Sequence, residues 1–189
     1  MARLVSERSD VLPALAEAFR QHGFEGASLA RIQEATGLGK GSLYHFFPGG
    51  KEEMARAVLS DIDQWFQDHV FTPLEACERS DEAVNAMFDS IERYFRSGAR
   101  TCLVGALALD GNRERFQDRI DAYFRRWVAA LAGALMRGGR SEGDAVALAE
   151  DVVAGIQGAL VLARALVEPE AFTRVLHRIR ERIQVLPEG

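Results

Sequence analysis

Cysteine is scarce: Cys77 and Cys102 are the only two in 189 residues. Two thiols cannot build a disulfide framework or a cysteine metal site. Long apolar runs are missing as well, and no uninterrupted stretch approaches the roughly 18 residues of a membrane span. The opening MARLVSERSDVLPAL places charges where a signal peptide needs its apolar segment. No alternation of Val, Ile and Thr marks a strand, and neither an internal repeat nor a low-complexity linker is present. His22, His69 and His177 have no partner at metal-ligand spacing and read as surface or capping residues. No nucleophile–base pair or paired-carboxylate pattern stands out. The segment GLGKGS lacks the G-x-x-x-x-G-K-[ST] spacing of a phosphate loop, and no strand precedes it. The expectation is a soluble, reduced, cytoplasmic protein with no catalytic residues, no metal, no cofactor and no membrane partner.

What is present is a balanced composition, 48% apolar and 27% charged, with a net charge of −5. The charge is uneven. Residues 1–56 hold seven basic and seven acidic groups, so the remainder, with 16 basic and 21 acidic, carries all of the −5. Overall acidity counts mildly against nucleic acid as a partner, because phosphates need local cations. A neutral segment on an acidic body remains compatible with it.

The dominant period is helical. Val11, Leu12, Leu15, Ala18 and Phe19 recur at three-and-four spacing up to Gly23. SLARIQEATG then opens on Ser28 as an N-cap and closes at Gly37. A short helix is expected near Lys40–Phe46, and a longer one from Lys51 that ends or kinks at Pro73. Further helices follow around Val84–Phe95 and Phe116–Leu135, then in 143–167, and from Pro169 to the end. CLVGALALD is apolar but too short to assign. The fold class is all-α, with eight or nine helices.

One stretch stands apart. Residues 36–51 read TGLGKGSLYHFFPGGK, with glycines packed around four consecutive ring-bearing residues and only two cations. Helices over 28–36 and 40–46, joined by a tight glycine turn, have the size of a helix-turn-helix. In that motif the second helix enters the DNA major groove. Gly39, Gly41 and Ser42 would let backbone approach a duplex, while free N–H groups at a helix start attract phosphate. Leu43 and Phe47 would face inward. Lys51, at the next helix start, could neutralise a phosphate.

At these residues the chain resembles the tetracycline-repressor (TetR) family of transcriptional regulators. The family signature runs G-[FY]-x-x-[AT]-[ST]-[LV]-x-x-I-x-x-x-[AT]-G-[LV]-x-x-[GP]-[ST]-[LI]-Y-x-x-F, then K-E-x-[LM]. Here it reads GFEGASLARIQEATGLGKGSLYHFF, then KEEM. The PGG turn before Lys51 is one residue longer than the commonest form, as in a subgroup of multidrug-efflux-type regulators. The resemblance implies an amino-terminal three-helix DNA-binding domain over 1–50 and a larger ligand-binding and dimerisation domain over 51–189. It also implies that Ser28 caps the first motif helix and touches phosphate. Lys40, Gly41, Ser42, Tyr44 and His45 would form the reading surface, with Lys51 anchoring the backbone. The alternative is that Tyr44 and His45 only fill the small core.

Beyond residue 51 the resemblance is loose. Aromatic residues concentrate on three candidate helices, and Trp65, Phe66, Phe88, Tyr123 and Trp127, with Cys102, are the candidate lining of an effector pocket. The same residues equally describe an ordinary core, and Cys102 reads as a buried, inert thiol. The last two helices are the candidate dimer interface, through Ile156, Leu160, Phe172, Leu176, Ile179 and Ile183, with Gly155 and Gly158 permitting close helix approach. The function implied is a ligand-responsive regulator, a repressor, that binds palindromic operator DNA as a homodimer and leaves it when a small apolar or aromatic effector binds. The rivals are a helical small-molecule-binding protein or enzyme that has lost DNA binding, and a helical adaptor for a protein partner.

Overall fold

The computed structural model describes residues 7–111 and 113–184. Ten α-helical segments follow in chain order: α1 (Arg8–Gly26), α2 (Leu29–Thr36), α3 (Lys40–Phe46), α4 (Gly50–Phe66), α5 (Thr72–Ala76), α6 (Ser80–Tyr94), α7 (Leu103–Ala108), α8 (Gln117–Arg137), α9 (Glu142–Leu166) and α10 (Glu170–Gln184). A π turn, Gln67–Phe71, joins α4 to α5. Taken as one rod, these make nine helices among the described residues, with no strand. Pro73 sits in the first turn of α5, where its missing N–H removes no hydrogen bond. The helical run therefore does not end at Pro73 but continues to Ala76, with the π turn just ahead of it.

The chain folds into two compact units. One comprises the described residues of Met1–Gln64 with Leu103–Ile120, and the other those of Trp65–Cys102 with Asp121–Gly189. In the first unit α1 breaks at Gly23, where φ is +68°, and the chain resumes with Phe24 buried. Val11, Leu15, Ala18 and Phe19 of α1 pack with Ile32, Leu43, Phe47, Met54 and Val58 into a small core. Phe116 meets Phe24 edge to face at 5.1 Å. The segment CLVGALALD becomes α7, which packs on α1 within this unit.

In the second unit α9 and α10 form an antiparallel hairpin turned at Val167, which takes the left-handed conformation (φ +56°). A Cβ on Gly155 of α9 would lie 2.7 Å from Ile179 Cδ1, so a side chain there would have to displace that methyl. After α6 the chain passes through positive φ at Arg96, Ser97 and Gly98. Gly98 lies directly against the carbonyl of Pro169 and Phe172, which leaves no room for a side chain. α9 is also long and apolar enough to cross a membrane by length and composition, although 39% of its most apolar window is buried within the chain.

Candidate nucleic-acid interface

The α2–turn–α3 element is built by capping and by three buried anchors. Ser28 caps α2, its Oγ accepting from the Arg31 backbone N–H at 3.4 Å. Gly37 closes α2 in the left-handed region (φ +69°), the usual exit to a second motif helix. Thr36 ties the turn together, its hydroxyl donating to the Ile32 carbonyl at 2.7 Å and accepting from Leu38 N–H at 3.3 Å. Ile32, Leu43 and Phe47 have no exposed surface and hold both helices to the core. A seven-residue helix is marginal by itself, so α3 depends on Leu43 and Phe47 for its place.

The rest of α3 faces outward. Lys40, Gly41, Ser42, Tyr44 and His45 are all exposed, Tyr44 by 42%, so the tyrosine and histidine do not fill the core. A Cβ at Gly39 or Gly41 would meet nothing within 4 Å, leaving the helix start open to a large partner. Lys40 has no carboxylate partner among the described residues, and its ammonium lies 5.9 Å from the Tyr44 ring. The structure thus brings Lys40, Gly41, Ser42, Tyr44 and His45 onto one exposed element, with Ser28 exposed at the start of α2.

Lys51 lies in the first turn of α4, where its side chain has partners within the unit. Its Nζ lies 3.4 Å from the Glu25 carbonyl and 3.7 Å from the Glu25 carboxylate, 4.6 Å above the Phe24 ring. The ammonium is therefore already engaged within the unit, fastening α4 to the end of α1. Glu53 fills the cap of α4 instead, accepting from Gly49 N–H at 2.7 Å and pairing with Arg8 at 2.7 Å. Arg31, which the sequence pattern did not single out, is an exposed cation on the first turn of α2, held by the Gly26 carbonyl at 2.7 Å. A basic residue three positions after a motif N-cap is the signal that could have marked it.

The second unit holds the aromatic candidates. Phe66 sits at the hub, 4.9 Å from Tyr123 and 5.3 Å from Trp127, while half-buried Trp65 lies 4.5 Å from Tyr94. The Trp127 indole N–H is buried without a hydrogen-bond acceptor among the described residues. Phe88 is buried apart from this cluster, beneath Arg180 of α10 at 6.0 Å, and Cys102 is a buried free thiol.

Against known proteins, residues 11–58 match the family described as "Bacterial regulatory proteins, tetR family". Residues 80–178, more than half of the chain, match "Transcriptional regulator LmrA/YxaF-like, C-terminal domain". The chain is a TetR-family transcriptional regulator. It is 27% identical to the HTH-type transcriptional regulator LmrA of Bacillus subtilis, over 82% of this chain and 85% of LmrA. A TetR-family regulator from Agrobacterium tumefaciens shares the fold, with a TM-score of 0.81 at 24% identity over 95% of this chain and 98% of that one. The TetR-family regulator CifR, solved with 26 bp of operator DNA, matches with a TM-score of 0.73 at 26% identity, over 99% and 100% of the two chains.

In this TetR-family regulator the residues expected at a dimer interface lie mostly inside one chain. Ile156 and Phe172 have no exposed surface, Leu160, Leu176 and Ile183 are each 4% exposed, and Ile179 packs onto Gly155. Of these six only Ile179 is half-buried; the other five are buried within the chain. A different face of α9 is bare. Val161, Leu162 and Leu166 are 60%, 48% and 59% exposed, in line with exposed Ala154 and with Gly158, where a Cβ would meet nothing.

Proposed function

We propose that this TetR-family regulator is a repressor that binds a palindromic operator as a homodimer and is released by a small effector. Residues 1–50 read DNA and residues 51–189 bind effector and partner copy. The observation that carries the reading is the division of α3, with Leu43 and Phe47 fully buried while Lys40, Gly41, Ser42, Tyr44 and His45 stand free. Tyr44 and His45 offer rings and hydrogen-bonding atoms to base edges, and Lys40 and Arg31 offer cations to phosphate. Ser28 presents its hydroxyl beside them. Lys51 acts at one remove, by holding the start of α4 in place. The operator seen with CifR and the name "repressor" on the AcnR relatives from Corynebacterium favour the same reading.

The dimer face is the bare stripe of α9, Ala154, Gly158, Val161, Leu162 and Leu166, rather than the larger residues buried behind it. An isologous pairing of two such stripes would bury the apolar surface that one chain leaves in water. The effector site is the cluster around Phe66, Tyr123 and Trp127, with Trp65, Phe88 and Cys102 as outer candidates. An effector that presents a hydrogen-bond acceptor to the Trp127 N–H would gain a bond the free protein lacks. It weakens DNA binding by its differential affinity for the two conformers.

The test is selection of sites from a random duplex pool, then anisotropy titration of the winner at several salt concentrations. A palindrome with half-sites about 34–36 Å apart or somewhat more, bound with a slope that Lys40→Ala lowers, is the expected result. No enriched site, with or without candidate effectors, would overturn the repressor reading. The few free cations on α2 and α3 then favour the rival, a helical small-molecule-binding protein without DNA binding.

A further inference from the structure

The bare face of α9 carries a pattern along its length. Ala147, Ala154, Gly158 and Ala165 are all exposed, and at about 100° per residue they fall on one narrow line of the helix. A Cβ at Gly158 would meet nothing within 4 Å. The gaps between the four are seven, four and seven residues, so the line reads the same in both directions about a midpoint at residue 156. Larger apolar groups stand on its two flanks, Val161 (60% exposed) on one and Leu162 (48%) on the other. An antiparallel second copy, turned about that midpoint, sets Ala147 against Ala165 and Ala154 against Gly158. Small residues at each meeting point let the two helices approach closely, and the flanking groups close over the seam. Such self-complementarity favours a copy of the chain over an unrelated partner.

Gln157 is the polar exception beside the midpoint. It shares a flank with Val161, one helical turn further on, and is half-buried. Its amide Nε2 is covered yet has no acceptor, and the side chain makes no hydrogen bond among the described residues. A covered amide donor left unpaired costs free energy. A twofold axis that lies between antiparallel helices and perpendicular to them keeps each flank against the same flank of the copy. Because Gln157 is one residue from the midpoint, it and its counterpart differ by only about 3 Å along the helix direction. The amide turns on a soft torsion. Two such amides meeting head to head satisfy each other, each N–H donating to the other's carbonyl oxygen.

We propose that Gln157 selects the partner and the register of the homodimer by pairing with its counterpart in a second copy across the twofold axis. The inference rests on the homodimer proposed above and adds the contact that makes it specific. Aligned copies satisfy both amides. A shifted register, a parallel pairing, or a chain with an apolar residue at this position leaves an amide unpaired against methyl groups, which disfavours it. The apolar flanks supply the attraction and Gln157 the discrimination.

The experiment uses the full chain carrying Gln157→Glu or Gln157→Lys, each alone and the two mixed in equal amounts, in sedimentation equilibrium with one variant fluorescently tagged. Neither change removes a hydrogen bond within the chain. Like charges meeting at the axis should weaken the self-association of each variant at least about tenfold, and the mixture should recover wild-type association as a heterodimer. Recovery in the mixture is a readout that a residue merely supporting the fold would not give. If either charged variant does not fold, Gln157→Asn decides. Its amide, shorter by one methylene, falls short of its copy, and association should weaken about fivefold. A dimeric wild type whose charged variants associate as tightly as it does, a mixture as weak as either variant alone, or Gln157→Asn associating like wild type would overturn the proposal and leave the dimer standing. A monomeric wild type would overturn both.

Discussion

Helices α3 and α9 each leave one face without a partner among the described residues, but the two faces are opposite in chemistry. On α3 the free face is short and polar, formed by Lys40, Gly41, Ser42, Tyr44 and His45, and buried Leu43 and Phe47 support it. On α9 it is long and apolar, running through Ala154, Gly158, Val161, Leu162 and Leu166. Water solvates the first at little cost and the second poorly. The contrast fits the proposed roles: a polar face stays solvated between encounters with an operator, whereas an apolar one is better covered by a lasting partner such as another copy of the chain.

Five changes would break or sharpen that comparison. The largest effect is expected from Phe47→Ala, which removes a fully buried ring and should destabilise the first unit by about 3–5 kcal/mol. Thermal unfolding followed by circular dichroism would show it, and DNA binding should vanish with the order of α3. Leu162→Glu comes next, since it puts a charge on the bare face of α9. Sedimentation should show dimer association weakened about 100-fold, roughly 2.7 kcal/mol, with secondary structure intact. A variant that sediments as wild type would move the interface elsewhere.

Lys40→Ala should leave folding unchanged and weaken operator binding by about tenfold, lowering the salt slope by roughly 2 for a dimer with two copies. Lys51→Met is its control. Because that ammonium is held by Glu25 and Phe24, the variant should lose up to about 1 kcal/mol of stability while keeping most of the salt slope. Equal slopes for the two variants would erase the distinction between a reading cation and a positioning one. The smallest effect concerns Asp63. Burial pushes its carboxyl above the usual range, only partly countered by the hydrogen bond and charge of Arg119 at 3.1 Å. A raised carboxyl favours the folded state at low pH and loses that contribution as pH rises through the folded value. Asp63→Asn should therefore melt within about 2 °C of wild type at pH 7, and the wild type should gain slightly on the variant as pH falls toward 4.

The helix-turn-helix was largely legible in the sequence because its determinants are local. Ser28 caps three residues ahead, Gly37 takes a conformation that suits glycine, and Leu43 and Phe47 lie four apart on one helical face. Lys51 was legible as a cation at a helix start but not as an engaged one, since its partner Glu25 lies 26 residues away in sequence. The segment CLVGALALD became a helix through its packing on α1, which six apolar residues cannot announce.

What the sequence by itself determined is the all-helical class, the family, and the inward and outward faces of α3. Each follows from spacing within a few turns of chain, where covalent geometry limits the choices. Only the tertiary structure decided which side of α9 points inward. That helix is apolar on two sides, so periodicity marks both alike. Gly155 meeting Ile179 while Gly158 stays open is what separates them. The physical reason is that burial is a property of the neighbours a residue acquires, and α9 acquires α10 on one side only.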